Sequence, residues 1–225
     1  WDIAWHTEAL LERTNKEDPL VLIRESETSP GNLEGGSQIF IYTPDTRNLF
    51  SATVNALDTL GLTIMDARII TSADGFSLDT YIVLDENGTP IGEDWPRIEQ
   101  IRKTLTETLK HPERFSSTVS RRMPRRHKHF DVPTQVLISN DIVNDRTAVD
   151  IQTLDRPGLL AHIGRIFMRF ELLVQNARIA TLGERVEDVF FITDLDGDPV
   201  SDPALCQELQ ETLIKELDDK NNGNS

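Results

Sequence analysis

The chain of 225 residues has one cysteine, Cys206, which excludes an internal disulfide framework. In its helical pattern that residue reads as a small hydrophobe. No apolar run reaches the roughly 18 residues a membrane span needs, and no signal-peptide pattern opens the chain, so the expectation is a cytoplasmic protein without a membrane partner. Positive charge is scarce as well. Lys and Arg number 23 against 38 Asp and Glu, giving a net charge of −15 and a pI near 4.7. A field of that sign repels nucleic acid and anionic lipid, so neither is expected as a partner.

Complete active-site motifs are missing too. Asp194-Leu195-Asp196-Gly197-Asp198 opens like a calcium loop, but the sixth position is Pro199 where Gly is needed and the twelfth is Leu205 where Glu is needed. Gly35-Gly36-Ser37 resembles the opening of a nucleotidyltransferase site, yet no Asp-x-Asp follows at short range to hold magnesium. No His-Asp dipeptide of the phosphohydrolase type occurs. His127 and His129 stand in a basic run, Arg121 to His129, with no carboxylate or Cys at usable spacing inside it. No metal site and no catalytic residue are therefore expected, and His162, beside an apolar helical stripe, reads as a surface or boundary residue rather than a base.

What the chain does contain is a duplication. Thr43 to Phe50 lines up with Thr153 to Leu160 at an offset of 110, and Ala67-Arg68-Ile69-Ile70-Thr71 lines up with Ala177-Arg178-Ile179-Ala180-Thr181. After one gap, Asp79 to Pro90 matches Asp188 to Pro199. Two domains of roughly 100 residues are expected for such a length. The expected division is 1–18 as the end of a preceding domain or linker, 19–112 and 133–219 as the two domains, 113–132 as a basic linker and 220–225 as a disordered tail. Trp1 to His6 begins mid-pattern, so the expectation is the C-terminal piece of a longer protein, with a short helix over residues 1–13.

Periodicity sets the element order. Thr147 to Thr153 alternates apolar and polar residues as a half-buried strand does, while Leu160, Ile163, Phe167 and Phe170 recur at helical spacing. Asp155 is read as the helix cap, Pro157 as its first residue, and Gly158 as leaving space over the helix start for an anion. Each half then reads strand, strand, helix, strand, strand, helix. Val136-Leu137-Ile138 could join either sheet and is assigned to the second, as the counterpart of Val21-Leu22-Ile23. The fold class expected is α+β: tandem ferredoxin-like modules with antiparallel sheets and helices on one face, the two sheets lying edge to edge.

Asp155-Arg156-Pro157-Gly158-Leu159-Leu160, followed by Gln175-Asn176-Ala177-Arg178-Ile179, resembles the ACT domain, a βαββαβ module that binds amino acids and regulates enzymes. Gly164-Arg165-Ile166-Phe167 with Asn176 to Phe191 resembles, more narrowly, the C-terminal tandem ACT region of the bifunctional uridylyltransferase/uridylyl-removing enzymes. That resemblance implies a glutamine-sensing regulatory region, with the PII nitrogen-signalling protein and the N-terminal catalytic domains as partners. It also implies that the catalytic domains, with their magnesium or manganese, lie outside this chain, which itself needs no cofactor. Other readings are an ACT scaffold that pairs domains without a ligand, or a sensor attached to another enzyme.

The resemblance points to a ligand set of Asp155, Arg156, Pro157, Gly158, Leu159, Leu160, Asn176 and Ala177. The ligand carboxylate is expected on the backbone N–H groups of Gly158, Leu159 and Leu160, with Asn176 supplying an amide. A weaker second site is expected at Asp45, Arg47, Asn48, Leu49 and Asp66, where Asn48 can keep a left-handed turn but Asp66 replaces Asn176.

Overall fold

Strands alternating inward apolar and outward polar residues, with an amphipathic helix after the second and after the fourth, build two units of the same plan. The computed structural model describes residues 18–25, 35–112, 133–141, 145–183 and 185–221. The helix expected over 1–13 and the basic run 121–129 lie outside the described residues. Unit one comprises β1 (Leu20–Glu25), β2 (Ser37–Pro44), α1 (Leu49–Thr59), β3 (Thr63–Ile70), β4 (Phe76–Leu84) and α2 (Trp95–Lys110). Unit two repeats it with β5 (Gln135–Asp141), β6 (Arg146–Leu154), α3 (Leu159–Arg169), β7 (Leu173–Leu182), β8 (Arg185–Thr193) and α4 (Pro203–Asn221).

All described strands form one sheet of eight, ordered β1-β2-β4-β3-β7-β8-β6-β5, and every neighbouring pair is antiparallel. Within each unit the strands before and after the first helix are separated by a third, the split βαβ of ferredoxin-like folds. The closing strand of a βαββαβ module comes here from the N-terminal side, as β1 and β5. Val136 to Ile138 lies in β5 and pairs with β6, so it belongs to unit two.

The units meet at β3 and β7, where Asp66 stands opposite Ala180 and Ile70 opposite Asn176. Above that seam α1 packs against α3, and Ser51 Oγ donates to the Gly164 carbonyl at 2.8 Å. Phe50 of unit one meets Phe190 of unit two edge to face, as Phe167 does, with centroids 5.8 and 5.2 Å apart. A single apolar core therefore runs from Tyr81 and Val83 beneath unit one to Ile151, Phe190 and Ile192 beneath unit two.

Local chemistry sets the boundaries. The last helix runs to Asn221, because nothing before Gly223 breaks it. Asp194 Oδ1 accepts from the backbone N–H groups of Asp196 and Asp198, both at 2.9 Å, so the acidic run is a self-bonded turn. Among the described residues, no helix is long and apolar enough to cross a membrane.

Candidate functional site

The link from β6 to α3 is a tight turn. Leu159 N–H donates to the Arg156 carbonyl at 3.2 Å, and Gly158 has φ 74°, ψ 11°. Proline second and a left-handed glycine third are what a type II turn requires. Two local expectations are corrected here. Asp155 does not occupy the N-cap position, which falls to Gly158 three residues later. Pro157 precedes the helix rather than opening it, since the turn needs its fixed φ one residue before the glycine.

Unit one keeps the same turn without glycine. Leu49 N–H donates to the Thr46 carbonyl at 3.1 Å, and Asn48 sits at φ 68°, ψ 6°. Asn48 thus preserves the left-handed position, which Asn tolerates better than most residues.

Over the unit-two turn lies a cavity of about 40 Å³, where one water needs roughly 10–15 Å³. Asp155 to Leu160 lines one side, with Ile179, Thr181, Val186 and Asp188 below. The remaining wall comes from unit one: Val54 and Asp58 of α1, then Leu62, Thr63 and Ile64. A larger open groove between α3 and α4 lies on the surface, where Arg169 pairs with Glu216 at 2.6 Å.

Asp188 is the most unusual group in the small cavity. It is 1% exposed, its Oδ1 accepts from Ala180 N–H at 3.4 Å, and its Oδ2 has no hydrogen-bond partner among the described residues. Burial pushes its carboxyl up to about 8, and the neighbouring charge of Asp155 pushes the same way. Thr181 Oγ1 is likewise buried without a partner among the described residues. Asp58 is 5% exposed and lies across from the turn. The N–H groups that open α3 add the positive end of a helix, and beyond Leu159, whose N–H the turn consumes, they lack intrahelical acceptors.

Arg156 lines the cavity but also bonds away from it, and Asn176 does not reach it. Arg156 is buried, and its Nη1 donates to the Leu217 carbonyl at 2.7 Å near the end of α4, so it ties the turn to that helix. Burial holds its guanidinium down to about 10. Asn176 lies far away. It stands level with Phe191 and Ala148, whereas Leu154, next to the turn, stands level with Arg185. Six residues of strand separate the two levels, roughly 20 Å. Ala177 is fully buried between Ile69 and Phe190 and serves packing.

Pairing of β3 with β7 exchanges the two ends. Asn176 lies opposite Ile70, beside Thr71, whose Oγ1 donates to Asp45 at 3.0 Å; it therefore belongs to the end of the sheet that holds the unit-one turn. Asp66, expected at that turn, instead stands opposite Ala180 toward the unit-two turn, exposed on the sheet face away from the helices. Arg47 pairs with Glu171 at 2.9 Å, and Leu49 is buried. Asp79 repeats Asp188 here: it is 1% exposed, and burial pushes it up to about 7.

His162, expected at the surface, is 6% exposed, and its Nε2 lies 2.9 Å from Glu216 Oε2. Helix α4 covers the stripe that α3 alone would leave open. Asp58, Thr181 and Asp188 are absent from the sequence-derived set. Asp188 was legible, because Val186, Asp188, Phe190 and Ile192 share one strand face and a carboxylate among them must be buried.

A family model for the ACR family N-terminal ACT domain matches residues 142–219. The chain is 55% identical over 216 residues to the bifunctional uridylyltransferase/uridylyl-removing enzyme of Pseudomonas putida strain F1, covering 96% of this chain and 24% of that protein. Identity to the same enzyme of Stutzerimonas stutzeri strain A1501 is 53% over 98% of this chain and 24% of that one. The chain thus spans about a quarter of the length of these relatives. A solved aspartate kinase from Synechocystis aligns over 80% of this chain and 27% of its own at 14% identity, with a TM-score of 0.41, too low to carry an argument.

Proposed function

We propose, from the premise that this chain is a tandem ACT-domain region of the kind carried by the uridylyltransferase/uridylyl-removing enzymes, that it regulates such an enzyme by binding an amino acid, glutamine, at the unit-two turn. One observation carries the reading: Asp188 Oδ2, buried and without a hydrogen-bond partner among the described residues, lines a cavity at the start of α3. A zwitterion matches that arrangement, its carboxylate on the free N–H groups of α3 and its ammonium among the carboxylates opposite. Asp58 and Asp155 would repel a second carboxylate on the ligand, which supports glutamine over glutamate. Binding would be relayed to catalytic domains acting on PII.

Calorimetry and thermal shift of the whole chain with glutamine, glutamate and other amino acids test this directly. Glutamine should bind with release or uptake of heat and raise the melting temperature, and glutamate should do so more weakly. The unbroken eight-stranded sheet favours one other reading, a scaffold that joins domains without a ligand. No heat and no shift with any amino acid would select the scaffold.

A further inference from the structure

The two units differ on the sheet face that their helices leave uncovered. In unit one, Leu57 of α1 and Ile101 and Leu105 of α2 share a core with Ile39, Ile41, Tyr81 and Val83, so both helices lie on that face. Strand alternation turns Leu22, Phe40, Tyr42, Phe76 and Leu78 to the outer face. Tyr42 and Phe76 stack there with centroids 4.9 Å apart. The duplication supplies the matching positions in unit two: Phe40, Tyr42, Phe76 and Leu78 correspond to Asp150, Gln152, Arg185 and Glu187. Leu22, opposite Phe40, corresponds to Leu137, opposite Asp150. Unit one is thus apolar where unit two is charged or polar.

Exposure follows the same division. Phe40 is 1% exposed and Leu22 partly buried, whereas Leu137 is 62% exposed. Neighbours on a sheet stand beside a side chain and leave its tip open, as they do for partly exposed Phe191 on the outer face of unit two. Phe40 therefore needs a cover from above, and the helices of unit one lie on the other face. We propose that the opening segment, residues 1–17, lies across the outer face of unit one against Leu22, Phe40, Tyr42 and Leu78. The chain entering the sheet is thereby fastened to unit one, while the outer face of unit two stays open to water.

Position, length and chemistry select this occupant. The segment leads directly into β1, the edge strand of that unit. A helix over residues 1–13 would measure roughly 20 Å, and the four strands of unit one, about 4.8 Å apart, span about 14 Å. At about 100° per residue, Ile3, Leu10 and Leu11 fall within roughly 100° of one another, an apolar stripe for an apolar face. The basic run Arg121 to His129 suits that face poorly, since its cations would lose water against Phe40 and Leu78.

The test places cysteine pairs in the whole chain carrying Cys206→Ser. Thr7→Cys, on the side of Ile3 and Leu10, is combined either with Thr80→Cys, opposite Phe40, or with Asp150→Cys, four strands further across. A short bismaleimide should join the first pair within one chain and leave the second unjoined, read by gel mobility and intact mass. Phe40→Asp, which copies unit two, and Leu10→Asp should each lower the melting temperature by at least about 4 °C. The double variant should melt no lower than the less stable single one, because either charge already dislodges the segment. Cross-links between chains would give the face to a second copy and overturn the proposal. Equal yields from the two pairs, no cross-link from either, or melting losses that simply add would overturn it too.

Discussion

Gly158 and Asp58, a hundred residues apart, face each other so closely that a β-carbon on the glycine would lie 3.3 Å from Asp58 Oδ2. That contact, with φ at 74°, makes the position doubly restrictive. Gly158→Val should therefore lose more than the roughly 1 kcal/mol of a backbone penalty and should no longer respond to amino acids. Gly158→Asn, which copies Asn48 of unit one, should fold with a smaller loss but still crowd Asp58. Thermal melts with and without glutamine compare the two, and full response in folded Gly158→Val would place the site elsewhere.

Arg156, which lines the cavity, also ties the turn to α4. Its bond to the Leu217 carbonyl closes the end of α4 onto the turn. Arg156→Met should cost about 1–3 kcal/mol by removing a buried hydrogen bond from a charged donor. Urea denaturation measures that loss directly. An unchanged midpoint would show that the bond contributes nothing.

Asp79 gives the protein a pH dependence of defined sign. Its carboxyl is raised from 3.8 to about 7 in the folded chain, mainly by burial, so the folded state holds a proton the unfolded state has lost. The stability this contributes is complete below the unfolded value and disappears as pH rises through about 7. Asp188 acts in the same direction up to about 8. Asp79→Asn should flatten the decline between acid and alkaline pH by about 1–3 kcal/mol. Denaturation curves at pH 5 and pH 8.5 check it, and an unaltered decline would argue against a neutral Asp79.

Gly164 sets the distance between α1 and α3. A β-carbon there would meet Ser51 Oγ at 2.9 Å and the Ser51 α-carbon at 3.2 Å. The hydroxyl can rotate aside, but the backbone of α1 cannot. Gly164→Ala should push the helices apart and destabilise by about 1–3 kcal/mol, and Ser51→Ala should recover little of that loss. Restoration to wild-type stability by Ser51→Ala would show that only the hydroxyl was in the way.

Cutting the chain between the units should expose β3 and β7 as open edges carrying Ile69 and Ile179, both buried in the intact sheet. An unprotected edge pairs with whatever strand it meets. A chain of residues 133–221 should self-associate, and size-exclusion chromatography should show dimers or larger species. A well-behaved monomer would mean that the seam contributes little to solubility.

By itself the sequence determined what depends on neighbours along the chain. Periods of two and of 3.6 residues marked strands and helices, and Pro157-Gly158 with Asn48 marked two left-handed turns, because turn chemistry acts within four residues. The duplication in turn determined that both halves share one element order. Only the tertiary structure decided which residues surround the Gly158 turn. The register of β6, β8 and β7 puts Asn176 at the opposite end of the sheet from the turn, and antiparallel pairing of β3 with β7 brings Asp58 and Ile64 over the turn from the other unit. That arrangement joins residues about a hundred positions apart, and it arises from burying two strand edges and two helix faces at once. No local period encodes it, since either edge could satisfy its own hydrophobic pattern with many partners.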